Sequence, residues 1–140
     1  MAIYTSFYRK VFSRQKHEND VYIQVSRNLG CYHKYPKLKA LIDESWGNEL
    51  GNKWATEKEY AKGVELYTTG FANHLKTFSD DQNVFLLCFE NLDDVYTEED
   101  EMRYGPTCKA GTNKVCHRTW LSRILNKKKD LKIEEWESDK

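Results

Sequence analysis

The chain has 140 residues and a mass of 16.6 kDa, the usual size of one domain with its own hydrophobic core. Apolar residues make up 39% of it and charged residues 31%, with seven glycines and two prolines, which excludes collagen-like, low-complexity and wholly disordered chains. Basic and acidic residues balance at 22 each, so the net charge does not indicate a protein that coats nucleic acid. We therefore predict a single domain over 1–140.

The charges are unevenly distributed along the chain. Residues 1–40 carry a net charge of +6, residues 41–107 of −10, and residues 108–140 of +4. If the two basic ends meet in the fold, they form a positive face that attracts a phosphate-bearing ligand. The alternative is ordinary solvated surface charge.

No part of the sequence resembles a membrane or export segment. The longest apolar run, over 84–89, is far shorter than the roughly 20 residues of a transmembrane helix. The first residues lack the basic and apolar segments of a secretory signal. The sequence therefore predicts a cytoplasmic protein without a membrane segment, whose four cysteines are thiols, namely Cys31, Cys88, Cys108 and Cys116.

The first half of the chain alternates short apolar segments with loops. Residues 3–8 are rich in β-branched and aromatic side chains and predict a strand, which a basic segment over 9–16 follows. Residues 21–26 predict a second strand, and residues 36–42, which begin with a proline, predict a helix. The glycine-containing stretch 46–54 predicts a loop that carries two tryptophans.

The middle of the chain contains the clearest elements. Thr56 and Glu59 have the spacing of a capping box and open a long helix over 57–77, whose apolar residues recur at steps of three and four. Residues 84–89 are apolar at every position, as in a central strand covered on both faces. The segment 91–112 is polar and acidic without a regular period, and we predict that it is an insertion outside the sheet.

The last elements complete an alternation of strands and helices. Asn113 is placed to cap a helix over 114–128, and residues 131–134 predict a final strand. This order favours an α/β layered fold with a small, mostly parallel sheet flanked by helices. Ligands of such sheets usually bind at the carboxyl ends of the strands.

The candidate site residues follow a predicted strand end and a predicted helix start. Cys88 and Glu90 lie two positions apart at the end of the central strand, so they face the same side. Cys116, His117 and Arg118 lie in the first turns of the last helix, where the helix dipole favours negative charge and lowers the pKa of a thiol. These residues predict an anion pocket or an activated nucleophile.

The catalytic version of this prediction assigns a role to each residue. Cys116 is the thiolate nucleophile, His117 the proton shuttle and Arg118 the anion clamp, with Cys88 and Glu90 as ligand contacts. Each has a structural alternative: a cysteine packs in the core, His117 lies exposed on a helix, and Arg118 pairs with an acidic residue of the insertion over 91–112.

Two more candidate ligand contacts lie in or after the first two strands. Arg27 follows the second strand and is a candidate anion contact. Ser6 lies in the first strand and reaches a ligand only if it faces the strand edge.

The chain resembles the bacterial and phage proteins of the domain of unknown function 488 family. The resemblance is carried by Leu-Leu-Cys-x-Glu at 86–90 and Cys-His-Arg at 116–118, with 3–8 and 25–27 similar to the first two strands of the family. It spans nearly the whole chain and implies an α/β fold with a polar site at the sheet edge, associated with nucleotide or nucleic-acid metabolism. Here residues 91–115 separate the two motifs, which usually lie close together in the family.

Other kinds of site find less support in the sequence. Cys108, Cys116 and His117, with Cys31 or Cys88, could supply four zinc ligands, but no Cys-x-x-Cys pair is present, so we predict no metal site. Neither phosphate-binding glycine loop is present, nor is a nucleophile-elbow serine. The sequence does not indicate which cofactor the protein would use.

Three functions remain open. The leading prediction is a protein that binds or processes a small anionic or nucleotide-like ligand at the Cys/Glu and Cys-His-Arg site. The alternative is a non-enzymatic interaction protein of a phage or mobile element that docks a protein partner through its acidic insertion. Nucleic-acid binding through the basic ends ranks third.

Overall fold

The computed structural model describes residues 1–138, which form one five-stranded sheet with all neighbouring strands parallel. From edge to edge, the strands are ordered third, second, fourth, first and fifth. In chain order they are β1 (Ala2–Phe7), β2 (Asp20–Gln24), β3 (Glu44–Ser45), β4 (Asn83–Cys88) and β5 (Ile133–Glu135). The predicted α/β layered fold with a mostly parallel sheet is confirmed.

Strand β4 lies in the middle of the sheet, and both its faces are covered. It pairs with β1 on one side and β2 on the other. Val84 and Leu86 belong to the hydrophobic cluster on one face, and Phe85 and Leu87 to the cluster on the other. This two-sided burial explains why the strand is apolar at nearly every position.

Helices cover both faces of the sheet. In chain order, the helices of residues 1–138 are α1 (Tyr8–Phe12), α2 (Pro36–Lys39), α3 (Gly47–Leu50), α4 (Glu57–Leu75), α5 (Glu98–Tyr104) and α6 (His117–Lys128), with 3₁₀ turns at Gly30–Lys34 and Pro106–Cys108. Helices α4 and α6 pack against each other and bury their apolar stripes on one face. Helix α1 and the segment 29–42 supply side chains to the other face.

Several predicted elements differ from the observed ones in the first half, including the second strand, which is predicted over 21–26 and observed at Asp20–Gln24. Tyr8 begins α1 rather than ending β1, because Tyr8 and Val11 lie three positions apart and both are fully buried. The helix predicted over 36–42 ends at Lys39. The stretch 46–54, predicted as a loop, contains the single turn of α3.

The acidic insertion contains a helix, α5, although its sequence shows no regular period. In α5, the Thr97 hydroxyl accepts a hydrogen bond from the Asp100 backbone, and the Asp100 carboxylate accepts one from the Thr97 backbone. The acidic residues 98–101 fill the first turn, where the helix dipole favours negative charge. The acidic run therefore stabilises the first turn of α5, which explains its presence locally.

The last helix begins later than predicted. Asn113 does not cap it but pairs with Val95 in an antiparallel bridge. The next backbone N–H groups are also taken by the insertion, since Lys114 donates to the Asp94 carbonyl oxygen and Val115 to the Tyr96 hydroxyl. Cys116, in an extended conformation, is consequently the residue before the first turn of α6. Within residues 1–138, the structure contains no helix whose length and apolar character would allow it to cross a membrane.

A candidate dithiol site at the sheet edge

Two cysteines meet at the carboxyl edge of the sheet. Cys88 is the last residue of β4, and Cys116 immediately precedes α6. Their Sγ atoms lie 2.7 Å apart, although 28 positions separate the residues in the chain. Both are free thiols, and only 4% of the surface of Cys88 and 3% of that of Cys116 is exposed. The fold thus brings two potentially nucleophilic groups into direct contact.

A hydrogen bond to a backbone carbonyl oxygen orients the His117 ring toward both thiols. Nε2 lies 2.9 Å from the carbonyl oxygen of Val25, which follows β2. Because a carbonyl only accepts, Nε2 carries a hydrogen, and Nδ1 lies 3.5 Å from Cys88 Sγ and 3.8 Å from Cys116 Sγ. Nδ1 accepts a proton from a thiol in the neutral ring and donates to a thiolate in the imidazolium. The ring is therefore placed to carry a proton to or from either sulfur.

The two thiols differ in acidity. Burial raises the pKa of Cys88 well above its usual value, and the hydrogen bond with Cys116 raises it further. Burial also opposes ionisation of Cys116, but the hydrogen bonds with Cys88 and His117 and the positive charge of Arg118 bring its pKa well below the usual value. The N-terminus of α6 favours negative charge at the same position. Cys116 is therefore the more acidic of the two thiols.

Arg118 is bound to protein groups on three sides. Its side chain is fully buried, and Nε and Nη2 donate to the two carboxylate oxygens of Glu135 at 3.0 and 2.7 Å. Nη1 donates to the Glu90 carbonyl oxygen at 2.6 Å. The bidentate pair connects α6 with β5, and the bond to Glu90 connects it with the segment after β4. The ligand-binding role of Arg118 stays a prediction, since its observed contacts position the elements of the site.

A cavity of about 400 Å³ lies over the two thiols. Cys88, Cys116 and His117 line it together with Glu90 and Arg27. Arg27 is exposed, and within the part of the chain that the structure describes its guanidinium has no hydrogen bond or ion pair. The structure thus assembles these five predicted residues around one cavity, with an unpaired cation at the rim.

Two glycines let neighbouring backbone form one wall of this cavity. A Cβ atom on Gly47 would lie 2.0 Å from the carbonyl oxygen of Ser26, and one on Gly51 would lie 2.3 Å from Cγ of Arg27. Ser26 and Arg27 both line the cavity. The two glycines, which the sequence indicates as breaks in a helical pattern, are therefore needed for close approach to the residues after β2.

A second cavity of about 540 Å³ adjoins the first, and we call the two together the cleft. Both are lined by Asn52, Glu90, Val115 and His117. The larger cavity has aromatic side chains in its lining, namely Trp54, Tyr96, Tyr104 and Trp120. Two of these, Tyr96 and Tyr104, belong to the acidic insertion, which is consequently a wall of the cleft.

Glu90 lies where the two cavities join. Burial raises the pKa of this carboxyl group, and negative charge at Cys116 also raises it. Lys114 opposes the shift from 3.9 Å, measured between its Nζ and Oε2 of Glu90. The carboxyl group is therefore more readily protonated than an ordinary surface glutamate.

The two thiols and the His117 ring also offer donor atoms for a metal ion. The ligand atoms of Cys88, Cys116 and His117 lie within 4.8 Å of one another, although the sequence spacing indicates no metal site. A tetrahedral zinc ion with two Zn–S bonds of about 2.3 Å would hold the sulfurs roughly 3.8 Å apart. The observed 2.7 Å is about 1 Å shorter, so metal binding requires the thiol pair to open.

Three other candidate residues lie away from the thiol pair. Ile3 of β1 packs with α4 and α6 on one face of the sheet. Side chains alternate along the strand, so Ser6 points to the opposite face. Ser6 is therefore not brought to the cavity over the thiols, and within residues 1–138 its buried Oγ has no hydrogen-bond partner. Cys31 is exposed, whereas Cys108 is half-buried and lines the larger cavity.

Two groups at the site were not identified from the sequence. The Val25 carbonyl oxygen orients His117, and Glu135 binds Arg118. A backbone carbonyl carries no sequence signal of its own. The structural alternative for Arg118, an acidic partner in the insertion over 91–112, is wrong, because α6 packs against β5 and brings Arg118 to Glu135 instead.

Comparisons with known proteins add no family to this description. No family model matches the chain, and no curated protein or solved structure matches it. The fold and site therefore define the class in structural terms alone: an α/β protein with two adjoining cysteines and an imidazole at the carboxyl edge of a parallel sheet.

Proposed function

We propose that the protein binds a small anionic, nucleotide-like ligand in the cleft and acts on it through the Cys116 thiolate. The observation that carries this proposal is the position of Cys116, which has a lowered pKa and lines an open cavity. Thiolates attack electrophilic centres, and His117 is within reach to move a proton in such a step.

The two parts of the cleft suit the two parts of such a ligand. Arg27 and the N-terminus of α6 favour an anionic group in the smaller cavity. The aromatic side chains of the larger cavity, Trp54, Tyr96, Tyr104 and Trp120, offer stacking surfaces for a base. The resemblance to the domain of unknown function 488 family is part of the same proposal, because its two motifs contain Cys88, Glu90 and the residues 116–118.

Alkylation protection tests the nucleophile and the ligand class together. We expect iodoacetamide to label Cys116 in the native protein below about pH 7, where an ordinary thiol is almost entirely protonated. Adenosine monophosphate should slow this labelling by occupying the cleft, and Arg27→Ala should weaken the protection several-fold. Exposed Cys31 is the internal control, since its labelling should not respond to the nucleotide.

Two outcomes contradict the proposal. If Cys116 is labelled only at alkaline pH, it is not a stabilised thiolate. If it is labelled at acidic pH but neither the nucleotide nor inorganic phosphate slows the reaction, the cleft does not bind the proposed ligand. Peptide mapping of the alkylated native protein distinguishes the four cysteines without any substitution.

The interaction-protein alternative stays a prediction. Glu98, Glu99 and Glu101 are exposed on α5 and available to a basic partner. Their position in the first turn of a capped helix also accounts for them without a partner. The lining of the larger cavity by the insertion supports a role in the cleft more directly.

A further inference from the structure

We propose a second activity for this site, thiol–disulfide exchange with a small anionic disulfide, in which Cys116 attacks and Cys88 resolves. The inference rests on the nucleophilic Cys116 of the proposed function and adds a role for Cys88. It also adds an oxidised state in which the two residues are joined by a disulfide bond.

The distance between the two sulfurs carries the inference. Cys88 Sγ and Cys116 Sγ are 2.7 Å apart, and a disulfide bond is about 2.05 Å long. The sulfurs must approach by only about 0.7 Å to bond, whereas a shared zinc ion requires them to separate by about 1 Å. The arrangement is therefore closer to an internal disulfide than to a metal site.

The first step is an attack by Cys116 on the small disulfide. The Cys116 thiolate forms a bond to one sulfur, the disulfide bond of the substrate breaks, and the leaving thiolate takes the Nδ1 proton of the His117 imidazolium, which leaves the ring neutral. The cavity over Cys116 gives this substrate access, and Arg27 at its rim favours a negatively charged one. Glutathione disulfide, with its carboxylates, is a probe of this class.

The second step releases the other half of the substrate. His117 Nδ1, 3.5 Å from Cys88 Sγ, takes the proton from the Cys88 thiol. Cys88 Sγ then attacks Cys116 Sγ, the Cys88–Cys116 disulfide forms, and the second thiolate leaves with the proton from His117. Overall, the protein dithiol loses two electrons, and the small disulfide gains them to become two thiols.

The difference in acidity fits this division of roles. The residue with the lowered pKa, Cys116, faces the entering disulfide as a thiolate, while Cys88 remains protonated until His117 removes its proton. If Cys88 were the attacking residue, burial would keep it in the unreactive thiol form.

The test uses the native protein and glutathione disulfide as the oxidant. We expect free thiols to fall from four to two, with no glutathione retained, and a non-reducing digest to yield a peptide that joins Cys88 and Cys116. Cys88→Ser should instead retain one glutathione on Cys116, because the resolving thiol is missing. Cys116→Ser should neither join the two peptides nor bind glutathione at position 88, whereas Cys31→Ser should behave as the native protein does.

The results separate this inference from the proposed function. A stable glutathione adduct on Cys116 of the native protein would overturn the resolving role of Cys88 and leave the nucleophilic Cys116 intact. Absence of any reaction at Cys116 with glutathione disulfide, while iodoacetamide still labels it at acidic pH, would also overturn the exchange activity alone. The digest of the native protein gives this answer even if a variant does not fold.

Discussion

Three consecutive residues at the start of α6 contact three different parts of the sheet. Cys116 contacts the end of β4 through Cys88, His117 contacts the residue after β2 through the Val25 carbonyl oxygen, and Arg118 contacts β5 through Glu135. Successive residues at a helix start point in different directions, so a short sequence motif reaches three strands. Each residue of the motif therefore has its own role.

The contact between Arg118 and Glu135 predicts a loss of stability on substitution. Glu135→Gln leaves a fully buried guanidinium without its charged partner, and we expect the free energy of unfolding to fall by about 2–3 kcal/mol. The carboxylate is about a third exposed, which keeps this cost below that of a wholly buried pair. Urea unfolding monitored by circular dichroism measures it.

The neighbouring acidic residue is the matched control for this substitution. Glu134 is exposed, and Glu134→Gln should change the unfolding free energy by less than about 0.5 kcal/mol. Equal effects of the two substitutions would show that the pair with Arg118 does not stabilise the fold.

At the scale of elements, helix α4 supports the aromatic wall of the cleft. Its two glycines, Gly63 and Gly70, have different surroundings although they lie on the same helix. A Cβ atom on Gly63 would lie 2.1 Å from Cζ2 of Trp54, whereas one on Gly70 would have no atom within 4 Å. Trp54 lines the larger cavity and packs on Tyr60 with ring centroids 5.8 Å apart. The absence of a side chain at Gly63 thus places the indole.

Alanine at each glycine should have opposite effects on stability. Gly70→Ala should stabilise the protein by about 0.5–1 kcal/mol, because alanine is the better helix former. Gly63→Ala should destabilise it by about 1–3 kcal/mol through displacement of the indole ring. Urea unfolding gives the free energies, and a change in tryptophan fluorescence only in Gly63→Ala would report the movement. Stabilisation by both substitutions would contradict the role of Gly63.

At the scale of the whole molecule, the two cysteines bring together the two ends of a long segment that lies outside the sheet. The segment between Cys88 and Cys116 leaves the sheet, forms the wall of the larger cavity and returns to the end of β4. An internal disulfide at this point would close a loop over 28 positions. Such a disulfide lowers the conformational entropy of the unfolded chain more than that of the folded chain.

The oxidised protein should therefore be more stable than the reduced protein. Chain entropy gives an expected gain of about 3–4 kcal/mol in the free energy of unfolding. Urea unfolding after treatment with glutathione disulfide, compared with unfolding in the presence of a reductant, measures this difference. It should disappear in Cys88→Ser and persist in Cys31→Ser. Equal stability of the oxidised and reduced native protein would contradict a closed loop.

Local sequence patterns were sufficient to predict most elements of the fold. The alternation of apolar runs and helical stripes predicts the parallel sheet, and the run over 84–89 predicts its central strand, observed as β4. These patterns are set by side-chain burial within each element, which depends on residue type and spacing. The start of α6 could not be predicted in this way, because the insertion binds the backbone N–H groups of Lys114 and Val115.

For the candidate site, the amino-acid order determines that thiols, an imidazole and a guanidinium lie near a strand end and a helix start. Only the tertiary structure decides that Cys88 and Cys116 touch, that Val25 orients His117, and that Glu135 binds Arg118. Contacts between distant residues depend on how strands are ordered and how helices pack across them. Those arrangements involve the whole chain at once, and no local pattern records them.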